Sequence, residues 1–314
     1  MSKKIITVFG ATGAQGGGLA RAILNDPNSE FAVRAVTRDS SSEKAKALAA
    51  LGAEIVIANI DDPLSMERAL DGAYGAYFVT FYWSHLSPEK ELAEASAMAE
   101  SARVAKLEHV IWSTLEDTRQ FYSPNDESLP TLMGKYKVPH FDAKGEADKF
   151  FTDLEVPTTF MLASFYWENL IYFGMGPKRD NDGILYLNIP MGDKKLSGIA
   201  AEDIGKCAYG IFKRGKKLIS ERIGIAGDEP SGEQMAASLS KALGEIVKYR
   251  PVTTAQFRSF GFPGADDLGN MFQFYQDNEV DCMRIRNVAN SKALNPDLLS
   301  FDNWLDENAQ KIPF

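Results

Sequence analysis

Three observations predict an α/β protein built on a doubly wound parallel sheet with a smaller C-terminal α/β lobe. Five strand-then-helix patterns follow one another from the N-terminus, a glycine-rich turn joins the first strand to the first helix, and short Gly/Pro-punctuated strands take over past residue 165. With 314 residues the chain exceeds one compact core, so a domain over 1–164 and a mixed region over 165–314 are expected, the latter returning strands to the sheet and adding a lobe.

The first strand, Ile5–Phe9, runs into Gly10-Ala11-Thr12-Gly13-Ala14-Gln15-Gly16 and then a helical stretch through Asn25. Gly10 suits a tight turn, Gly13 a close approach of main chain to a pyrophosphate, and Gly16 close packing of helix on strand. The backbone N–H groups of such a turn and the helix start face negative phosphate. Residues 10–16 are therefore the expected nucleotide cradle of a Rossmann-like fold, although the spacing is G-x-x-G-x-x-G rather than G-x-G-x-x-G.

The second strand, Phe31–Thr37, ends at Arg38, which stands where an acidic residue would hold a ribose 2′-hydroxyl. A guanidinium suits a 2′-phosphate, with Ser41 nearby as a hydroxyl donor, and this favours NADP(H) over NAD(H). Asp39 would reverse that preference if it pointed inward. After a helix from Glu43 to Leu51 and a strand over 53–59, Asn59 and Ile60 lie where the chain passes an adenine. Asp62-Pro63 starts the next helix. The fourth strand, Gly75–Thr80, leads into Thr80-Phe81-Tyr82-Trp83 at the sheet's carboxyl edge, where these aromatics either flank a nicotinamide or close the core.

Ser87-Pro88 caps a long helix through Lys106, and His109–Thr114 is the fifth strand. The stretch from Glu116 to Pro139 has no period and reads as a lid or binding segment. Pro139 opens a helix that puts His140 and Lys144 one turn apart. A sixth strand, Val156–Leu162, delivers Ser164, Phe165 and Tyr166 to its carboxyl end as further cofactor contacts. Farther on, Ile184–Ile189 reads as a strand, Ala201 starts a helix, and Ser231-Gly232-Glu233-Gln234 is a capping box.

Composition bounds the function. The net charge of −9 argues against direct binding to the nucleic-acid backbone. No run of about eighteen apolar residues predicts a membrane span, and the first residues lack a secretory core. Cys207 and Cys282 fit neither a redox pair nor a zinc site, and His85, His109 and His140 form no metal-ligand spacing, so no metal is expected. A cytoplasmic protein, with nuclear entry left open, is the expectation.

Residues 8–17, 36–38, 79–83, 140–146, 166–170 and 261–268 together resemble the NmrA-like family of atypical short-chain dehydrogenase/reductases. Gly261–Leu268, with Asn270–Tyr275, is most similar to the HSCARG-type NADPH sensor proteins within it. The resemblance implies a Rossmann domain that binds NADP(H), a regulatory protein partner, and a role of redox sensing rather than turnover; it leaves a homodimer open. Active members of the wider group carry Tyr-x-x-x-Lys. There the lysine holds the nicotinamide ribose, and so Lys144 would here, while the tyrosine moves a proton. This chain has His140 in the tyrosine's place, so its standing as an enzyme is open. A reductase of a small carbonyl or quinone would have to work with Lys144, His140 and a hydroxyl from Ser113 or Thr114, since an imidazole can donate a proton near neutral pH. Tyr136, eight positions before Lys144 and across Pro139, would need a folded-back loop.

Overall fold

The computed structural model describes residues 2–123 and 126–314. Met1, and Pro124 and Asn125 within the aperiodic 116–139 stretch, lie outside the described residues. Contacts divide the chain into two interleaved units rather than at a single point after 164. The first comprises residues 1–117, 143–162 and 202–223, and the second residues 118–142, 163–201 and 224–314. The break at 162/163 falls beside the expected boundary. The added crossings arise because strand pairing and helix packing recruit distant segments.

In the first unit the strands are β1 (Lys4–Val8), β2 (Phe31–Thr37), β3 (Glu54–Ile57), β4 (Gly75–Phe78), β5 (His109–Thr114) and β6 (Thr158–Leu162). They alternate with helices α1 (Ala14–Leu24), α2 (Glu43–Ala50), α3 (Pro63–Leu70), α4 (Pro88–Val104) and α5 (Pro139–Asp153), the last starting in the second unit. The strands pair in parallel in the order β6-β5-β4-β1-β2-β3. The order therefore reverses between β1 and β4, the switch point at which open α/β sheets bind ligands.

Two strands are shorter than the hydrophobic runs suggest. Strand β6 begins at Thr158 because Pro157 has no N–H to donate, although its carbonyl still accepts from the Val110 amide at 2.8 Å. Strand β4 stops at Phe78, and Thr80 turns to polar partners described below.

One face of the sheet packs Met66 and Leu70 of α3, Met98 of α4 and Phe151 of α5 around Phe78 and Trp112. The Trp112 and Phe151 rings stack with centroids 5.2 Å apart. Helix α7 (Ala201–Arg214), which lies in the first unit from Glu202 onward, packs on α1 backbone to backbone. A Cβ at Gly205 would stand 2.0 Å from the Leu19 nitrogen, and one at Gly18 would stand 2.6 Å from the Glu202 carbonyl oxygen. Arg21 of α1 and Glu202 of α7 close this contact with a two-point ion pair.

The second unit holds β7 (Phe165–Tyr166) paired in parallel with β10 (Gly198–Ile199), and a three-stranded sheet in the order β12 (Val247–Tyr249), β9 (Leu185–Leu187), β8 (Lys178–Arg179). The expected strand over Ile184–Ile189 is reduced to β9. Strand β11 (Arg222–Gly224), which crosses the unit boundary, returns to the main sheet beside β6. The helices are α6 (Asn169–Tyr172), α8 (Gly232–Leu243), α9 (Thr254–Arg258), α10 (Ala265–Asp277), α11 (Glu279–Ile285), α12 (Val288–Leu294) and α13 (Phe301–Asn308). The Ser231–Gln234 capping box is formed on α8.

Within the 116–139 stretch, residues 128–137 are anchored. From α10, Asn270 donates to the Pro130 and Lys137 carbonyls at 2.8 and 2.6 Å, and Gln273 donates to the Ser128 carbonyl at 2.7 Å. Among the described residues, no helix is long and apolar enough to cross a membrane.

His109 on β5 is fully buried, and its Nε2 faces the Thr159 hydroxyl oxygen at 2.9 Å. That hydroxyl donates onward to the Leu218 carbonyl at 2.7 Å, so Nε2 carries the ring proton. Burial pulls the imidazole pKa down from 6.5 to about 4. The unfolded chain takes up a proton near 6.5 and the folded chain does not, so this contribution is complete above pH 6.5 and is lost as the pH falls toward 4. The loss amounts to about 3 kcal/mol. Urea unfolding at pH 7 and pH 4.5 should show a smaller drop for His109→Asn than for the parent; equal drops in both proteins would refute the assignment.

Candidate functional site

The glycine turn takes the geometry its sequence calls for. Gly10 has φ +64°, in the left-handed region. A Cβ at Gly16 would lie 2.5 Å from the Gly10 carbonyl oxygen and 2.7 Å from that of Phe9, so only glycine lets α1 sit this close to β1. The N-terminus of α1 is uncapped: Gly13 is its cap position, offers no side chain, and no acid stands in the first turn. By contrast, α2, α3 and α4 are capped by the side chains of Ser42, Asp62 and Ser87. The start of α1 therefore presents its first turn at the switch point with no side-chain cap over it, which is the arrangement a phosphate requires. Gly13 and Ala14 are exposed, Thr12 is half-buried and Ala11 is buried beneath them.

Gln15 points inward. Its side-chain oxygen accepts from the Tyr77 hydroxyl on β4 and from the Ser113 hydroxyl on β5, the latter at 2.7 Å. The cradle is therefore tied to two strands of the sheet, and Ser113 is committed to holding it. Thr114 is likewise internal: its hydroxyl lies 2.6 Å from Asp148 Oδ1 and 3.1 Å from the Lys144 carbonyl oxygen. Asp148 also accepts from the Trp112 indole at 3.0 Å and pairs with Arg222. Burial pushes the Asp148 carboxyl above its usual range, against the pull of Arg222. Both hydroxyls therefore serve as braces here, not as free groups at the strand's end.

At the ends of β2 and β3 lies an open cavity of about 460 Å³ lined by Arg38, Asn59, Asp61, Asp62, Ser65 and Arg68, among others. Arg38 and Arg68 are exposed there. Asp39 does not join them: its carboxylate accepts from the Ser41 amide at 2.8 Å and the Ser41 hydroxyl at 2.6 Å, which holds its pKa below the usual range. The acid that would reverse the cofactor preference is thus folded back on its own turn, and the Ser41 hydroxyl is engaged with it. Asn59 lines the cavity, whereas Ile60 packs against the core.

Lys144 is buried and pairs with Glu91 of α4, Nζ to Oε1 at 2.7 Å. Thr80 lies between them, accepting from the ammonium and donating to the carboxylate. The ammonium also sits 5.2 Å from the Trp112 ring centroid. Beyond the pair, the buried second oxygen of Glu91 faces His85 Nε2 at 3.5 Å, with a Glu94 oxygen 4.0 Å from the same nitrogen. These three side chains have a metal-like grouping. However, His85 Nδ1 accepts from the Ser87 amide at 3.0 Å, so the neutral ring carries its proton on Nε2 and has no lone pair there to give an ion. Burial lowers the His85 pKa and raises that of Glu94. The group runs as a polar line from the buried pair.

Of the three aromatics at the β4 edge, Phe81 is exposed and Tyr82 is buried in a 3₁₀ turn, its ring edge-on to Trp83.

In the second unit His140 faces Asp267 of α10, Nδ1 to Oδ1 at 2.6 Å, and its backbone amide donates to the other carboxylate oxygen at 3.1 Å. Asp142 accepts from the Lys137 and Val138 amides and from Thr118, closing the start of α5. Tyr136 is brought back by a bridge between Leu132 and Tyr136 and is fully buried. Ser164 donates to the Ile225 carbonyl, Phe165 is buried and Tyr166 is half-buried.

Glu91, Tyr77, Asp148 and Asp267 were not anticipated. Glu91 did leave a signal, since it shares the buried face of α4 with Pro88, Ala95, Met98 and Ala102, a charge at helical spacing on an otherwise apolar stripe.

Glu91→Gln should destabilise the protein by about 3–5 kcal/mol, because it strands the Lys144 charge in the core, and Glu91→Gln with Lys144→Met should recover most of the loss. Denaturant unfolding of both singles and the double closes the cycle; additive losses would mean the two residues do not form a pair.

A sequence model described as the NmrA-like family matches residues 2–305. Among curated relatives, the NmrA-like family domain-containing oxidoreductase cpsB of Aspergillus campestris is 30% identical over 297 residues, covering 87% of this chain and 83% of that protein. The fold is similar to that of NmrA, a negative transcriptional regulator, in a complex with NADP (TM-score 0.78, 22% identity, 99% of this chain and 96% of that one). It is also similar to an NADPH-dependent quinone oxidoreductase of Escherichia coli (TM-score 0.67, 20% identity, 98% of each chain). With the uncapped glycine cradle at the switch point and a family match across almost its whole length, this chain belongs to the NmrA-like family.

Proposed function

We propose that the protein binds NADP(H) in the first unit and reports the cofactor's state through a protein partner, with little or no turnover. The observation that carries the cofactor reading is the pairing of an uncapped α1 N-terminus with an arginine-lined cavity from which Asp39 is turned away. The N–H groups at 14–16 would take the pyrophosphate, and Arg38 with Arg68 the 2′-phosphate, each guanidinium offering parallel donors. The NmrA complex with NADP supports the same assignment by likeness of fold.

The sensor reading rests on what stands beside the nicotinamide position in sequence. Bound NADPH supplies a hydride, but reduction of a carbonyl also needs a proton donor, and losing one costs roughly 10²–10⁴ in rate. Where active relatives have tyrosine this chain has His140, whose Nδ1 is held by Asp267; Ser113 and Thr114 are spent on internal bonds. Resemblance of Gly261–Leu268 to the HSCARG-type NADPH sensors supports the same choice.

The second reading is an NADPH-dependent reductase of a small carbonyl or quinone. It is favoured by the His140–Asp267 pair itself, since a carboxylate behind an imidazole orients the ring and stabilises its protonated form, and by relatives described as oxidoreductases.

Two measurements decide these points. Arg38→Ala should weaken NADPH binding by about 1.5–3 kcal/mol in calorimetry and leave NADH binding unchanged; equal losses for both cofactors would remove the 2′-phosphate assignment. A panel of aldehydes and quinones should leave NADPH absorbance unchanged with the parent protein. Brisk oxidation that collapses in His140→Ala would establish the reductase instead.

A further inference from the structure

We propose that the second unit carries its own small-molecule site, a cavity of about 480 Å³ that takes a planar aromatic anion. The volume lies within the range of small-ligand pockets. Its aromatic wall comes from α9, α10 and the loop between them. Phe257 meets Phe260, Phe262 and Phe272 with ring centroids 5.3, 5.8 and 5.3 Å away. Phe260 and Phe262 are 54% and 41% exposed, and Phe173, from the lining segment 173–178, is 62% exposed. Single exposed apolar residues are ordinary on a protein surface; three phenylalanines around one concavity are a patch with a use. Gly176 fixes this segment tightly, since a Cβ there would fall 2.6 Å from the Leu170 carbonyl oxygen, so the lining is built rather than collapsed.

Charge selects the ligand. Two cations line the cavity, Lys178 and Arg250. Arg250 is satisfied by Asp180 at 2.6 Å and Asn188 at 3.1 Å. Lys178 is exposed on edge strand β8, and its ammonium has no ion pair or hydrogen bond among the described residues. An aromatic face for stacking beside one uncommitted ammonium fits a flat ring system bearing a carboxylate or sulfonate. The nucleotide cradle uses neither feature and belongs to the other unit.

The test titrates 8-anilinonaphthalene-1-sulfonate into the full chain with NADP⁺ saturating, and repeats it with the uncharged parent amine. One saturable site per chain that survives NADP⁺ is expected, with the neutral dye about tenfold weaker. Lys178→Gln should weaken the anionic dye by about tenfold while Lys178→Arg retains it. Phe262→Ser should weaken both dyes by at least tenfold, Phe260→Ser serving if that variant does not fold, and Phe314→Ser, exposed but outside the cavity, should change nothing. Displacement by NADP⁺, equal binding of the two dyes, or binding unaffected by loss of either ring would overturn the proposal. Release of dye as the chain dimerises with concentration would also overturn it, making the face an interface between copies.

Discussion

The first unit depends on how closely α1 approaches the sheet. Gly16 over the Phe9–Gly10 backbone, and Gly18 against α7, leave no room for a Cβ, and Gly205 imposes the same limit from the α7 side. Side chains at these points would lift the helix by the thickness of a methyl group. Its N-terminus would then no longer stand at the switch point between β1 and β4, and the N–H groups of its first turn would point elsewhere. Helices α2, α3 and α4 start on side-chain caps and could shift without such a consequence.

The polar interior is organised to hold that edge in place. Gln15 joins the cradle to Tyr77 and Ser113, Thr114 and Asp148 join β5 to α5, and Thr80 joins the β4 edge to the Lys144–Glu91 pair. A buried ion pair is weak evidence for stability, because desolvation offsets much of the attraction. Its value here is in direction: the ammonium is pre-set beside the end of β4. The same commitments engage the Ser113 and Thr114 hydroxyls at the end of β5 in internal bonds.

The second unit contributes in a different way. It receives the start of α5, pins the 118–142 segment to α10 through Asn270 and Gln273, and holds His140 on Asp267. The aromatic cavity on α9 and α10 gives this unit a chemistry of its own.

The sequence by itself determined the alternation of strands and helices, the glycine cradle and its conformational demands, Arg38 at the end of β2, the capping box on α8 and the placing of His140 one turn before Lys144. These are local properties, set by backbone sterics and by residues within a turn or two of one another. Only the tertiary structure decided the rest. It turned Asp39 onto Ser41, spent Ser113 and Thr114 on internal bonds, and brought Glu91 to Lys144 across 53 positions and Asp267 to His140 across 127. It also divided the chain into interleaved units instead of halves. Each of these outcomes follows from burial: a polar group inside the protein must find a partner wherever the fold places one, and no local pattern records which distant residue that will be.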